Sequence, residues 1–133
     1  TYSDVGVRFK GNTSFTRPNT QKKSFNISMN SFVDGQDLLG YSTLNLNNAF
    51  MDPTFMREVL FSKACRSFTT AAKGNFIHLI INGENWGVYA NVQQLNKDFL
   101  EESYPTDIGY CFKIPFAQHI PGNESLHWLG RNS

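Results

Sequence analysis

VRFKGNTSF at residues 7–15 and KKSFNI at residues 22–27 are the two stretches that decide the fold. In the first stretch, apolar Val7 and Phe9 alternate with basic residues, and in the second, apolar Phe25 and Ile27 alternate with uncharged polar residues. A period of two is typical of strands that bury one face. Because Gly11 and the polar residues after it favour a turn, the two stretches predict a pair of antiparallel strands.

The same region is basic. From Arg8 to Val33 the sequence has five basic residues and no acidic one. A glycine-containing turn beside a lysine-bearing strand is one way to hold a phosphate group, because backbone amides line the turn and an ammonium group supplies positive charge. A second interpretation is that the lysines keep an exposed strand edge from pairing with other molecules. No Gly-x-Gly-x-x-Gly or Walker pattern decides between the two.

The next part of the sequence predicts a strand at 41–47 and then a helix. Asp52 suits the N-cap of that helix, Pro53 its first position and Gly74 the stop that follows it. Apolar residues recur at spacings of three and four, which favours one buried helix face. That face is made of Phe55, Met56, Val59, Leu60 and Ala64.

The second half of the chain predicts a hairpin over 76–92 that lies centrally in the sheet. The Asn-Gly dipeptide at 82–83 is the favoured one for its tight turn. The apolar side chains expected to be mostly buried are Ile77, Leu79, Ile81 and Val88. A helix at 95–104 and a strand at 110–114 follow, and the tail at 115–133 has no period and is predicted to be a loop.

These elements predict the α+β class, an antiparallel sheet with one or two helices packed on one face. The 133 residues suit one domain or one lobe, and a start without Met together with a loop-like end indicates a segment of a longer protein. The net charge of +1 gives no support to a polyanionic partner, so nucleic-acid binding is not expected. No apolar run is long enough to span a bilayer, no signal peptide is visible, and the cysteines and histidines lack metal-ligand spacing.

Four blocks of sequence stand out in a fixed order. They are GVRFKGNTS at 6–14, KKSF at 22–25, LNLNN at 44–48 running into DPTFMRE at 52–58, and INGENWGVY at 81–89. Together they resemble the CotH kinase family, named for a spore-coat protein, over roughly residues 5–102. The resemblance implies an atypical protein kinase, secreted or associated with a cell or spore surface, that transfers phosphate from ATP with Mg²⁺ to a protein substrate.

The resemblance covers the family's N-terminal part, which is similar to the small lobe of a kinase. It implies that residues 1–133 are a partial domain that contacts nucleotide phosphates, in a site completed by a missing C-terminal lobe. Such a lobe needs a turn over the phosphates, a strand lysine and a helical acid that orients the lysine. The residues implied for this cofactor-binding site are Gly11, Asn12, Ser14, Lys22, Lys23, Arg57 and Glu58.

Two lysines compete for the place beside Glu58. Strict alternation puts Lys22 and Lys23 on opposite faces of their strand, and Lys23 shares its face with the apolar residues that follow. We therefore predict that Lys23 is buried toward the helix and pairs with Glu58, and that Lys22 faces solvent. In that case Lys23→Ala impairs nucleotide binding more than Lys22→Ala. A second interpretation of Arg57 and Glu58 is an ordinary solvated helix face.

The sequence departs from the family pattern in two ways. Gln93 stands where the family often has Glu, and no Asp-x-Asp metal motif occurs. This segment is therefore expected to hold no catalytic or metal-binding residue and to be inactive by itself. The alternative function is a non-catalytic coat or adhesion module that binds protein or glycan, with Trp86 and Trp128 among its contact residues.

Overall fold

The computed structural model describes residues 1–17, 20–106, 109–113 and 127–131. Its elements are, in chain order, β1 Gly6–Lys10, α1 Thr13–Thr16, β2 Ser24–Ser28, β3 Thr43–Asn47, α2 Arg57–Cys65, β4 Gly74–Ile81, β5 Glu84–Gln93, α3 Lys97–Ser103, β6 Tyr110–Lys113 and β7 His127–Arg131. The first five strands form one antiparallel sheet in the order β1-β2-β3-β5-β4, and β6 pairs antiparallel with β7. The predicted α+β class is confirmed, and α3 and β6 lie within their predicted ranges.

The five-stranded sheet has one apolar face and one polar face. On the apolar face, Phe25 of β2 is opposite Leu46 of β3, and both are buried together with Tyr89 of β5. On the other face, Asn26 is opposite Asn45, and both of these polar residues are buried too. Since successive residues of a strand point to opposite faces, this division follows from the alternation in the sequence. The face of Asn26 and Asn45 also carries Arg8 and Lys10 of β1, which is in register with β2.

Helix α2 covers part of the polar face. Gly74 of β4 is in register with Val92, which is in register with Asn45. A Cβ atom added to Gly74 would lie 3.4 Å from Cγ2 of Val59, so the helix approaches the sheet closely at this point. Val59 is buried, but Leu60 is 50% exposed. The apolar helix face predicted from the spacing therefore does not form a packed core.

The predicted start and end of this helix are wrong. Helix α2 begins at Arg57, five residues after Asp52, and Gly74 is the first residue of β4. The reason is a tight turn before the helix, in which Phe55 has a φ of 61°, outside the right-handed helical region. Asp52 still serves the helix, since its Oδ2 accepts a hydrogen bond from the backbone amide of Arg57.

The predicted hairpin at 76–92 is confirmed, and its turn residues Asn82 and Gly83 have φ values of 53° and 84°. The hairpin lies at the edge of the sheet and not centrally, because β4 is the outermost strand. Val88 is 41% exposed where burial was predicted, since it pairs with this edge strand and has little cover. The partly buried residues of the hairpin that pack against the core include Ile77, Leu79 and Ile81.

Two connecting segments also differ from the sequence predictions. Strands β1 and β2 pair antiparallel as predicted, but the turn at Gly11 leads into helix α1 and not directly into β2. At the other end, residues 127–131 form β7 where the sequence predicted a loop, and the rest of that tail lies outside the described residues. In the described part of the chain, no helix has the length and apolar character needed to cross a membrane.

Candidate functional site

A cleft of about 500 Å³ opens on the polar face of the sheet, beside the segment that leads into α2. Its lining residues are Lys10, Ser14, Ser24, Asn47, Asn48, Ala49, Phe50, Met51, Asp52, Phe55, Arg57, Glu58 and Ala90. Three of the residues predicted for a phosphate site, Ser14, Arg57 and Glu58, are therefore brought together. Lys22 and Lys23 are not part of this lining.

Lys10, which the sequence analysis did not select, is the lysine of the cleft. It is the last residue of β1, and its Nζ donates a hydrogen bond of 3.0 Å to Oδ1 of Asn45 on β3. Burial lowers the pKa of its ammonium group, while Glu58 acts to raise that pKa and Arg8 acts to lower it. A partly desolvated ammonium group exerts a stronger field on a bound anion than one in water.

Glu58 faces the cleft from the first turn of α2. Both of its carboxylate oxygens lie 2.8 Å from Nδ2 of Asn47, which donates to them from the end of β3. The negative charge of Glu58 acts to raise the pKa of Lys10, whose ammonium group itself donates to Asn45. A helical acid and a strand lysine thus share the cleft, but the lysine comes from β1 and not from the pair at 22–23.

Alternation predicted that Lys22 faces solvent, but its ammonium group instead contacts β5 and the segment before α2. Its Nζ donates a hydrogen bond of 2.7 Å to the backbone oxygen of Val88. The same atom lies 4.4 Å from the ring centre of Phe55 and 4.9 Å from that of Tyr89. Burial lowers the pKa of Lys22. Since aromatic rings attract cations, this lysine holds the segment before α2 against β5.

Lys23 also lies elsewhere than predicted. Its Nζ donates a hydrogen bond of 2.7 Å to the backbone oxygen of Phe15 and lies 5.2 Å from the centre of that ring. These contacts hold the side chain against α1. Strand alternation did not place the two lysines because β2 begins at Ser24, so both precede the strand.

The predicted turn reaches the cleft through one side chain. Gly11 has a φ of 98°, and a Cβ atom added there would lie 2.2 Å from Oγ of Ser14, so the position requires glycine. The backbone oxygen of Asn12 accepts hydrogen bonds of 3.0 Å from the amides of Phe15 and Thr16. Those amides are therefore used within α1, and Ser14 is the part of the turn that lines the cleft.

Asp52 organises the segment from which Arg57 reaches the cleft. Its Oδ1 accepts hydrogen bonds from the backbone amide and the hydroxyl of Thr54, at 3.1 Å and 2.6 Å. Its Oδ2 accepts one of 2.9 Å from the amide of Arg57. The guanidinium group of Arg57 donates to the backbone oxygen of Met51 at 3.2 Å, and its Nε lies 3.6 Å from Oδ1 of Asp52. Since a guanidinium group has five N–H donors, others can serve an anion.

We expect Asp52→Ala to lower the midpoint of thermal unfolding, and Asp52→Asn to lower it less because Asn keeps one acceptor oxygen. The hydrogen bond from the Thr54 hydroxyl holds the pKa of Asp52 below its ordinary value, against the effect of burial. A carboxylate with a lowered pKa stabilises the folded state above its unfolded pKa and loses that contribution as the pH falls through its folded pKa. The advantage of the native protein over Asp52→Asn should therefore shrink below about pH 4 in melts followed by circular dichroism. An advantage that stays constant down to strong acid would contradict this.

Two other cavities lie near α3. One of about 170 Å³ and one of about 600 Å³ share Lys73 and Gln93 in their linings. Lys73 forms an ion pair with Glu102 of α3, and Nε2 of Gln93 donates a hydrogen bond of 2.8 Å to the same carboxylate. Gln93 is thus engaged in holding α3. The cleft on the polar face, which brings three of the predicted phosphate-site residues together with Lys10, is the candidate site.

Comparison with known protein families shows that residues 7–131 match the family model described as CotH kinase protein. No curated protein matches the chain. The matched region includes every residue that lines the cleft.

Proposed function

Because the family model spans residues 7–131 of 133, the chain belongs to the CotH kinase family, and we propose that it is the N-terminal lobe of a CotH-type protein kinase. In this proposal the cleft on the polar face contacts the phosphates of a nucleotide, and a C-terminal lobe completes the phosphotransfer site. From the family we also propose a protein acceptor and a secreted or surface location such as a spore coat.

The position of Lys10 is the observation that carries the proposal. A kinase small lobe holds nucleotide phosphates with a strand lysine whose ammonium group is oriented by a helical acid. Lys10 on β1 and Glu58 on α2 line one cleft, where the ammonium group donates to Asn45 and the carboxylate accepts from Asn47. Arg57 adds a second cation at the same cleft, and guanidinium groups match phosphate oxygens in geometry.

The side chains of the cleft fit the phosphates of ATP better than they fit Mg²⁺. Lys10, Arg57 and the hydroxyl of Ser14 are donors to phosphate oxygens. Mg²⁺ prefers six oxygen ligands in octahedral geometry. Both oxygens of Asp52 already accept hydrogen bonds, and no group of three or more acidic, His or Cys residues in the described ranges is placed to hold a metal ion. We assign the metal ligands and the base that orients the acceptor hydroxyl to the C-terminal lobe.

The experiment compares this 133-residue chain with a longer protein that carries the C-terminal lobe. Binding of MgATP is measured by calorimetry, and phosphotransfer by incorporation of labelled phosphate into dephosphorylated casein. We expect binding and transfer by the longer protein and no transfer by the 133-residue chain, because phosphoryl transfer depends on the metal and on the oriented acceptor. A longer protein that does not bind MgATP would overturn the proposal. Transfer by the short chain that is abolished in Lys10→Ala would overturn the division between the lobes.

The second candidate is a non-catalytic module that binds protein or glycan, and exposed phenylalanines favour it. Phe61 of α2 is largely exposed and Phe68, just beyond the helix, is 90% exposed. Trp86 gives less support than predicted, since it is partly buried against Phe25 with their ring centres 6.0 Å apart. The side chain of Trp128 lies outside the described residues. Phe61→Ser would separate the two functions, since it should weaken adhesion and leave MgATP binding unchanged.

A further inference from the structure

A chain of hydrogen bonds crosses the polar face of the sheet and ends on Lys10. Nε of Arg8 donates to Oδ1 of Asn26 at 2.9 Å, and Nδ2 of Asn26 donates to Oδ1 of Asn45 at 3.1 Å. The same Oδ1 of Asn45 accepts the bond of 3.0 Å from Nζ of Lys10, while Nδ2 of Asn45 donates to Oε1 of Gln94 at 2.6 Å. Arg8, Asn26 and Asn45 are direct partners in register on β1, β2 and β3, so the sheet itself aligns them.

The donors and acceptors in this chain fix the orientation of both carboxamides. A guanidinium group can only donate, so Asn26 must turn its oxygen toward Arg8 and its amide nitrogen toward Asn45. Asn45 must then offer its oxygen to Asn26, and Lys10 uses that same oxygen. Asn45 is only 6% exposed, so water cannot readily replace a lost partner.

We propose that Arg8 is a positioning residue for Lys10: acting through Asn26 and Asn45, it fixes the acceptor that holds the ammonium group in the cleft. The importance of Lys10 for phosphate binding rests on the proposed function, but the tether itself does not. Arg8 is an exposed residue of the outer strand β1. A change at the surface of the sheet is therefore transmitted to the cleft through two buried amides.

Repulsion between the positive charges of Arg8 and Lys10 would predict a different effect of Arg8 substitutions on Lys10. If charge alone mattered, any neutral replacement of Arg8 would affect Lys10 in the same way. If the tether matters, a neutral residue that still donates to Asn26 should preserve the position of Lys10. Arg8→Leu and Arg8→Gln both remove the charge, but Nε2 of glutamine stands as many bonds from the backbone as Nε of arginine and still donates. This pair of variants separates the two explanations.

The test is the rate at which the ammonium protons of Lys10 exchange with water, measured by NMR on nitrogen-15-labelled protein without nucleotide and assigned with Lys10→Arg. We expect slow exchange in the native protein and in Arg8→Gln, and exchange as fast as that of the exposed Lys63 in Arg8→Leu. Asn26→Leu keeps Arg8 but removes the hydrogen bonds that link Arg8 to Asn45, so the Lys10 ammonium protons should exchange fast in this variant too. If Arg8→Leu does not fold, Asn26→Leu takes its place in the comparison. Adding Asn45→Asp to Arg8→Leu should restore slow exchange, because a carboxylate accepts at both oxygens.

Equal exchange rates in Arg8→Leu and Arg8→Gln, whether slow or fast, would overturn the proposal, and so would fast exchange in the variant that carries Arg8→Leu with Asn45→Asp. Titration of the longer protein with MgATP is a separate measurement. A native protein that tethers Lys10 but does not bind MgATP would overturn the proposed function and leave the tether intact. Where MgATP binds, Arg8→Leu should weaken binding about fivefold, as the loss of one hydrogen bond does, and Arg8→Gln should not.

Discussion

In the two-lobed kinase that we propose, replacing Lys10 by alanine is expected to lower the affinity for MgATP about 10- to 100-fold. A hydrogen bond to a charged group contributes roughly 1.5–3 kcal/mol, and Lys10 would donate to phosphate from a partly desolvated place. Lys22→Ala and Lys23→Ala should have smaller effects, since the ammonium groups of these residues donate to the backbone oxygens of Val88 and Phe15. Calorimetric titration with MgATP measures the three affinities.

Lys63→Ala is the matched control for the loss of one positive charge. Lys63 lies on α2 and is exposed, so its removal should leave the affinity for MgATP unchanged. Lys22→Ala also removes the contact with the ring of Phe55, so its thermal stability must be measured beside its affinity. If Lys23→Ala weakens MgATP binding more than Lys10→Ala does, the sequence-based prediction stands and the phosphate site must be sought near α1.

The strand alternation in residues 7–10 already indicated the sheet face on which Lys10 lies. It places Arg8 and Lys10 on the face opposite Val7 and Phe9, next to the turn at Gly11. The resemblance to a kinase lobe implies a strand lysine and favours the pair at 22–23, which lies in one of the matching blocks. The positions of those two lysines depend on the connection through α1, which strand periodicity does not describe. Alternation thus predicts side-chain faces within a strand and fails one residue outside it.

Local signals identified residues better than they identified element boundaries. Asp52 was recognised as a helix-capping residue, and its carboxylate does accept from the amide of Arg57. The turn through Phe55 with positive φ delays the helix, and no rule for N-caps predicts such a turn. The hairpin at 76–92 was predicted from its apolar run and Asn-Gly turn, but its place at the sheet edge depends on strand order. Strand order is set by pairing between distant segments, so local sequence could not supply it.

The division of the sheet into two faces leads to the largest expected effect on stability. Leu46 is 1% exposed and packs with Phe25 and Tyr89 on the apolar face, away from the cleft. Truncating a buried leucine to alanine removes its packing contacts and leaves a cavity, which costs about 2–5 kcal/mol. Since a small domain has a free energy of unfolding of only about 5–15 kcal/mol, Leu46→Ala should lose a large part of it.

Leu60→Ala is the control that makes this result informative, because it deletes the same atoms from a residue that is 50% exposed. Its cost should stay below about 1 kcal/mol, as for most surface substitutions. Urea unfolding followed by circular dichroism gives both free energies. If Leu60→Ala costs as much as Leu46→Ala, then α2 buries the apolar face predicted from its sequence. A large difference between the two variants instead shows that the packed core lies on the apolar face with Phe25 and Tyr89, and that α2 contributes little to it.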